Sequence, residues 1–402
     1  MVMLYMIVKY FRQAVRLNLT IIILMLYLTA ELIVTNAKLE QYNDLIRAMI
    51  CKLLLPIGFI VTSSYEHIKS LNKKLFITNI LFIVSIIIFS ILKIGENQYG
   101  GDTGFNTGTF TFSAIYIGSY LVMVLPLTFY DFKDTVWKWV VPGVGLTTVI
   151  ILVLSVRRTS VVLVFIALVV YLYLYRDQLI KFAGHAIAAV IVIVATFPLY
   201  QGILMRQIEA RSDTFNDEGV AENLQGETRL VETFAVYRER IMNPDIAVFL
   251  FGQHLFDSPG NYDYGIHKKR PLHLDLNLML HGAGIIGFGL LIMFYIEIIT
   301  KYIQLRAKLD LEQERLLIGT FLGMYFAHVF LLFSGGMLTI TFNMVSFLYM
   351  GAIMGLYKSA IAQKVKSIVY RTNAGLPTGS EISAPNVKPY FYKSREDKLK
   401  IV

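Results

Sequence analysis

The residues best equipped for chemistry gather at two places in this chain of 402 residues. The first is the stretch Lys268-Lys-Arg270-Pro-Leu-His273-Leu-Asp275-Leu-Asn277-Leu-Met-Leu-His281, in which three cations precede a histidine. An imidazole titrates near neutral pH and can take the proton of a hydroxyl. If the stretch is helical from its start, His273, Asn277 and His281 recur at i, i+4 and i+8 and share one face. If its first residues are extended, His273, Asp275 and Asn277 alternate with leucines and share a polar side. The second place is Ser-Val-Arg157-Arg158-Thr-Ser, residues 155–160. Two adjacent guanidiniums offer forked donors that match phosphate oxygens, so the pair suits a diphosphate. The plainer alternative is two arginines reaching lipid headgroups. Five more arginines, Arg206, Arg211, Arg229, Arg238 and Arg240, are interspersed with Glu209, Glu227, Glu232 and Glu239, and this pattern reads mostly as solvated or locally paired charge.

The elements that must position these groups are apolar. Hydrophobic residues make up 56% of the chain and charged ones 16%, against about a quarter charged in soluble domains. Apolar runs close to the roughly 20 residues needed to cross a bilayer recur at 17–34, 45–64, 75–93, 110–130, 136–155, 159–175, 182–200, 275–299, 315–334 and 336–357. The expected fold is therefore an all-α, polytopic membrane helix bundle of about ten transmembrane helices. Arg47, Lys52 and Pro56 interrupt the second run. With a cytoplasmic N-terminus, inside segments carry 23 Lys and Arg and the short outside connections five. That asymmetry orients the bundle with both termini inside. The net charge of +9 is thus a topology signal with no call for nucleic acid, and the basic tail can also meet anionic lipid.

One connection is long. Residues 201–274 form a large external loop, predicted to be folded, since Leu230, Phe234 and Ile241 keep helical spacing up to Asn243-Pro244. Ile-Ala-Val-Phe-Leu-Phe-Gly252 then reads as a short buried or interface-lying segment. A second outer loop, Gly95 to Thr109, is rich in turn formers. Residues 1–359 form one membrane domain including the external loop, and 360–402 a flexible basic cytoplasmic tail. The basic flank Lys9 to Arg16 reads as a start-transfer anchor rather than a cleaved leader.

Several motifs are missing from the sequence. There is no Asp-x-Asp, no His-Glu-x-x-His, no Walker-type loop and no cysteine cluster, Cys51 standing alone. No metal site and no cofactor is expected on these grounds. His185 and His328 fall inside spans and read as packed or hydrogen-bonded; Glu31 and Glu297 lie near span ends and read as structural.

Three segments resemble one family. His273, ten residues, then Gly284-x-x-Gly287 resembles the signature that enters the helix after the large loop in the O-antigen polymerase and ligase superfamily of bacterial membrane glycosyltransferases. Val153 to Val170, with Arg157 and Arg158, resembles its Ser-x-Arg segment, and Gly226 to His254 resembles its arginine-containing loop helix with Asn-Pro and Phe-Gly. The resemblance covers residues 150–357, and the first half by topology alone. It implies a GT-C-like fold in a bacterial plasma membrane, with a glycan donor on undecaprenyl diphosphate attacked by a hydroxyl of an acceptor glycan. It further implies a flippase and a chain-length regulator protein as partners. Under it, His273 is the catalytic base or orienter. Arg157, Arg158, Arg229, Arg211 and Arg270 hold the diphosphate, with Asp275, Asn277 and His281 supporting. Leu274 stands where ligases carry Ser or Asn, which tilts the reading to a repeat-unit polymerase; the ligase is the runner-up. A transporter or flippase, the rival of another class, is expected to carry charges deep in a central cavity.

Overall fold

The computed structural model describes residues 11–92, 123–154, 158–178, 201, 228–242, 245–262, 272–306, 313–335 and 340–373. Among them all regular structure is helical. The chain runs through α1 (Phe11–Leu17), α2 (Leu19–Val34), α3 (Leu39–Val61), α4 (Tyr65–Ile91) and α5 (Met123–Phe132). A 3-10 turn, Val136–Trp139, leads into α6 (Val140–Leu154), followed by α7 (Arg158–Leu174). The long loop supplies α8 (Thr228–Tyr237), a π-helical turn (Arg238–Met242) and α9 (Ile246–Phe251). Last come α10 (Asp275–Arg306), α11 (Glu314–Leu332) and α12 (Ile340–Asn373).

Helices occupy nine of the ten apolar runs; the run 182–200 lies outside the described residues, as do residues 110–122 and the second outer loop. Three helical stretches among the described residues are long and apolar enough to cross a membrane: Asp275–Arg306, Glu314–Leu332 and Phe342–Ser367. α10 is interrupted at Gly284, and the 22 residues after it, 285–306, extend about 33 Å at 1.5 Å per residue, enough for the roughly 30 Å of bilayer hydrocarbon.

Helix direction is set by contacts at the two ends of the bundle. Arg306 donates to Glu314 at 3.2 Å, and Arg315 to Asp177 at 2.9 Å. The Arg315 guanidinium beside Asp177 holds that carboxyl below its usual range. The C-terminal ends of α10 and α7 thus meet the N-terminal end of α11, on which both helices pack. At the other end Gly335, just past α11, sits so close to the His273 carbonyl that a Cβ there would collide with it. Antiparallel packing therefore brings the first residue of α7, Arg158, to the same end of the bundle as His273.

Two further contacts fix the frame. Glu297 of α10 accepts the backbone N–H groups of Leu19 and Thr20 at 3.2 and 3.1 Å, while Asn18 caps α2 through Ile21 N–H at 2.9 Å. A carboxylate and an Asx cap together satisfy the orphan donors of that helix start, the structural role expected for Glu297. Helices α3 and α12 meet backbone to backbone through Gly58, Gly351 and Gly355, where an added Cβ would run into carbonyl oxygens of the opposite helix. Such small-residue crossings are the common way of bringing apolar helices close.

The chain divides into a unit Met1–Ala360 and a second, Ile361–Val402. The tail expected to be flexible from residue 360 is helical through Asn373, because α12 continues into it; residues 374–402 lie outside the described residues.

Candidate active site

His273 immediately precedes the first turn of α10, whose hydrogen bonding begins with Leu278 N–H on the Leu274 carbonyl at 2.9 Å. The histidine lies outside the helix, yet its partner on α8 makes it part of one row with Asn277 and His281. Its backbone N–H and its ring both reach the carboxylate of Glu232 on α8: N–H to Oε2 at 3.1 Å and Nδ1 to Oε1 at 2.9 Å. A carboxylate accepts, so Nδ1 carries a hydrogen, which in the neutral ring leaves the lone pair on Nε2. Glu232 is 1% exposed at its side chain while that of His273 is 46% exposed. A buried, doubly bonded anion thus fixes the tautomer and orientation of a ring whose other nitrogen is a base.

The row continues along the loop helix. Asn277 donates to Thr233 Oγ1 at 2.9 Å, and Arg240 in the π turn reaches His281 Nδ1 at 2.8 Å. Arginine only donates, so His281 accepts at Nδ1 and carries its hydrogen on Nε2. Both side chains are buried, and neither Arg240 Nε nor His281 Nε2 has a partner among the described residues. Burial lowers the Arg240 pKa from its ordinary value, with Glu239 acting in the opposite sense. The extra residue of a π turn rotates the side chains beyond it, and such turns are frequent at functional sites. The sequence pattern pairs Glu232 with neighbouring arginines and leaves Arg240 to solvent or to a glutamate. The structure pairs Glu232 with His273 and Arg240 with His281, because the loop helix lies along the first turns of α10.

A pair of glycines seats the loop there. α10 is broken at Gly284, at φ 61° and ψ −168°, and Gly252, the C-cap of α9, has φ 77° and ψ −171°. This region of φ/ψ space is essentially restricted to glycine. The two are back to back: a Cβ on either would overlap the backbone of the other's segment. Carbonyls at the break find new donors. His281 accepts Gln253 N–H at 2.9 Å, and Ala283 accepts Tyr27 Oη at 2.7 Å. The turn after α9 is held by Gln41, which donates to the Leu255 carbonyl at 2.6 Å, and by Lys38 on Asp257 at 3.3 Å. The family-like Phe-Gly and Gly-x-x-Gly segments are thus two halves of one joint.

Asp275 lines a small cavity together with Lys52, Tyr295, His328, Leu331, Leu332 and Asn343. Lys52 is fully buried there, donating to the Ala48 carbonyl at 3.0 Å, with Asp275 as the nearby opposite charge. His328 meets Ser346 Oγ at 2.5 Å and stacks on Phe347, the packed state expected of it. A buried lysine in an apolar run is visible in the sequence as an interruption, but its partners across the bundle are not.

No protein-family model matches the chain, and no curated protein matches it either. The site is therefore defined by its own geometry. Of the diphosphate-binding arginines expected from the sequence, Arg157, Arg211 and Arg270 lie outside the described residues, as does His185. Arg229 is on α8, one turn before Glu232, and Arg158 heads α7.

Proposed function

We propose that the chain is a membrane-embedded glycosyltransferase that polymerises lipid-linked oligosaccharide repeat units at the outer face of a bacterial plasma membrane, both termini cytoplasmic. The observation that carries this reading is the half-exposed His273, held through Nδ1 and its own N–H by buried Glu232. A base oriented by a second group is the general arrangement for activating a hydroxyl. In the reaction, the acceptor hydroxyl oxygen forms a bond to the anomeric carbon of the donor sugar. The bond from that carbon to the diphosphate oxygen breaks, its electrons leaving with the polyprenyl diphosphate. The hydroxyl proton passes to His273 Nε2. The leaving group is already anionic and needs charge stabilisation rather than an acid. Arg157, Arg158, Arg229, Arg211 and Arg270 are the candidates for that role, by resemblance and by the shared bundle end of Arg158 and His273. A glycan polymerase would work with a flippase and a chain-length regulator.

The test is transfer by the purified chain in proteoliposomes supplied with undecaprenyl-diphosphate-linked repeat units. His273→Ala lowers polymer formation by the factor of about 10²–10⁴ that a general base contributes. Unchanged polymer at equal protein abundance would refute the assignment. Gene deletion separates the runner-up: surface glycan of one repeat unit marks a polymerase, whereas full-length glycan stranded on its carrier marks a ligase.

A further inference from the structure

The loop helices wear their polarity inside out. On α8 and its π turn the buried side carries Glu232, Ala235, Val236 and Arg240, turned toward α10. The outward side carries Phe234, Tyr237, Ile241 and Met242, with Phe234 69% and Met242 70% exposed. α9, Ile246–Phe251, has no polar side chain at all, and Ile246 is 75% exposed. A loop helix washed by water would present charge outward and bury its aromatic residues. Phe234, Tyr237, Ile241, Met242, Ile246 and Phe251 are thus exposed apolar side chains with no cover among the described residues.

Its depth is fixed by hydrogen bonds. Tyr27 Oη reaches the Phe251 carbonyl at 3.4 Å and the Ala283 carbonyl at 2.7 Å. Tyr27 stands in the middle of α2, about 10 Å along the axis from Val34 at 1.5 Å per residue. The end of α9 therefore meets an apolar helix at mid-length, where Leu26, next to Tyr27 in sequence, is 62% exposed. In hydrocarbon an irregular backbone is tolerated only where protein satisfies it. That condition is met at the turn: Gly252 N–H goes to Val248 O at 2.8 Å and Gln253 N–H to His281 O at 2.9 Å.

We propose that α9 is a re-entrant segment, and that it and the outward face of α8 are seated among the acyl chains of the leaflet at the His273 end of the bundle. The occupant of this surface is bilayer lipid, since α9 ends at Tyr27 in the middle of α2, an apolar helix whose Ile23, Leu26 and Ile33 are themselves exposed. The loop thereby holds the site at the membrane surface rather than above it. This inference rests on the spanning helices and is independent of the transfer reaction.

The experiment uses the full chain in liposomes. Cys51 is buried and stays in place, the unsubstituted chain serving as the labelling blank. Met242→Cys and Ile246→Cys are labelled with an environment-sensitive fluorophore, with Leu26→Cys as the lipid reference and Lys38→Cys as the aqueous one. Doxyl-labelled phospholipids are expected to quench the two loop sites as strongly as Leu26→Cys, and aqueous iodide to leave them bright. Iodide quenching without doxyl quenching overturns the proposal in favour of a solvated loop. Protection from both overturns it in favour of a protein cover. Doxyl quenching that appears only after removal of lipid-linked substrate overturns it in favour of a polyprenyl chain as occupant.

Discussion

At the scale of single residues, the site depends on which carboxylate faces which ring. Glu232→Gln keeps an acceptor for the His273 N–H but removes the anion that stabilises a protonated imidazole. It is expected to slow polymerisation by at least about tenfold, within the range that general base catalysis supplies, while leaving protein abundance unchanged. Turnover of lipid-linked repeat units is the measurement, and a wild-type rate would detach Glu232 from the mechanism. Lys52 makes a separate prediction. Removing one partner of a buried charge pair costs about 3–5 kcal/mol, so Lys52→Met should lower the thermal midpoint in detergent, and Lys52→Met combined with Asp275→Leu should recover most of the loss. Asn277 and His281 are legible in the sequence because helical spacing places them on one face, and His273 because it stands at the mouth of the same apolar run. Glu232 and Arg240 are not legible as their partners. Each lies 41 residues from the histidine it meets, and no local periodicity records a pairing made by a folded loop.

At the scale of elements, apolar runs locate nearly every described helix, because burial in lipid or core demands continuous hydrophobicity and little else. The same demand hides how the loop is used: Leu230, Phe234 and Ile241 announce a helix at 228–242 but not which way its apolar stripe turns. Amphipathic pattern gives a face, and only the surroundings decide whether that face is wet. The glycines sharpen the point. In the sequence Gly284 is a small residue that allows a close helix approach, whereas in the structure its positive φ also breaks the helix. Gly284→Ala is expected to cost about 1–3 kcal/mol from backbone strain alone, and more from overlap with Leu250. Thermal denaturation of the detergent-solubilised chain checks this, and an Ala variant as stable as the parent would contradict the joint.

At the scale of the whole molecule, sidedness is the property that organises everything else. Lys38 sits at the His273 end through Asp257, and Lys133 comes just after α5, whose Tyr130 meets Gln313 at the start of α11. Labelling of intact cells with an impermeant thiol reagent should reach Lys38→Cys and miss Lys133→Cys until the membrane is opened; the reverse order would invert the topology. The break in α10 carries one more consequence. Before Gly284, Asn277 and His281 are bound to α8, the π turn and Gln253, whereas after it Phe294 and Glu297 hold the start of α2. The span is thus an elbow with its forearm belonging to the loop, so amide protons on its two sides should exchange with deuterium as two separate cooperative blocks.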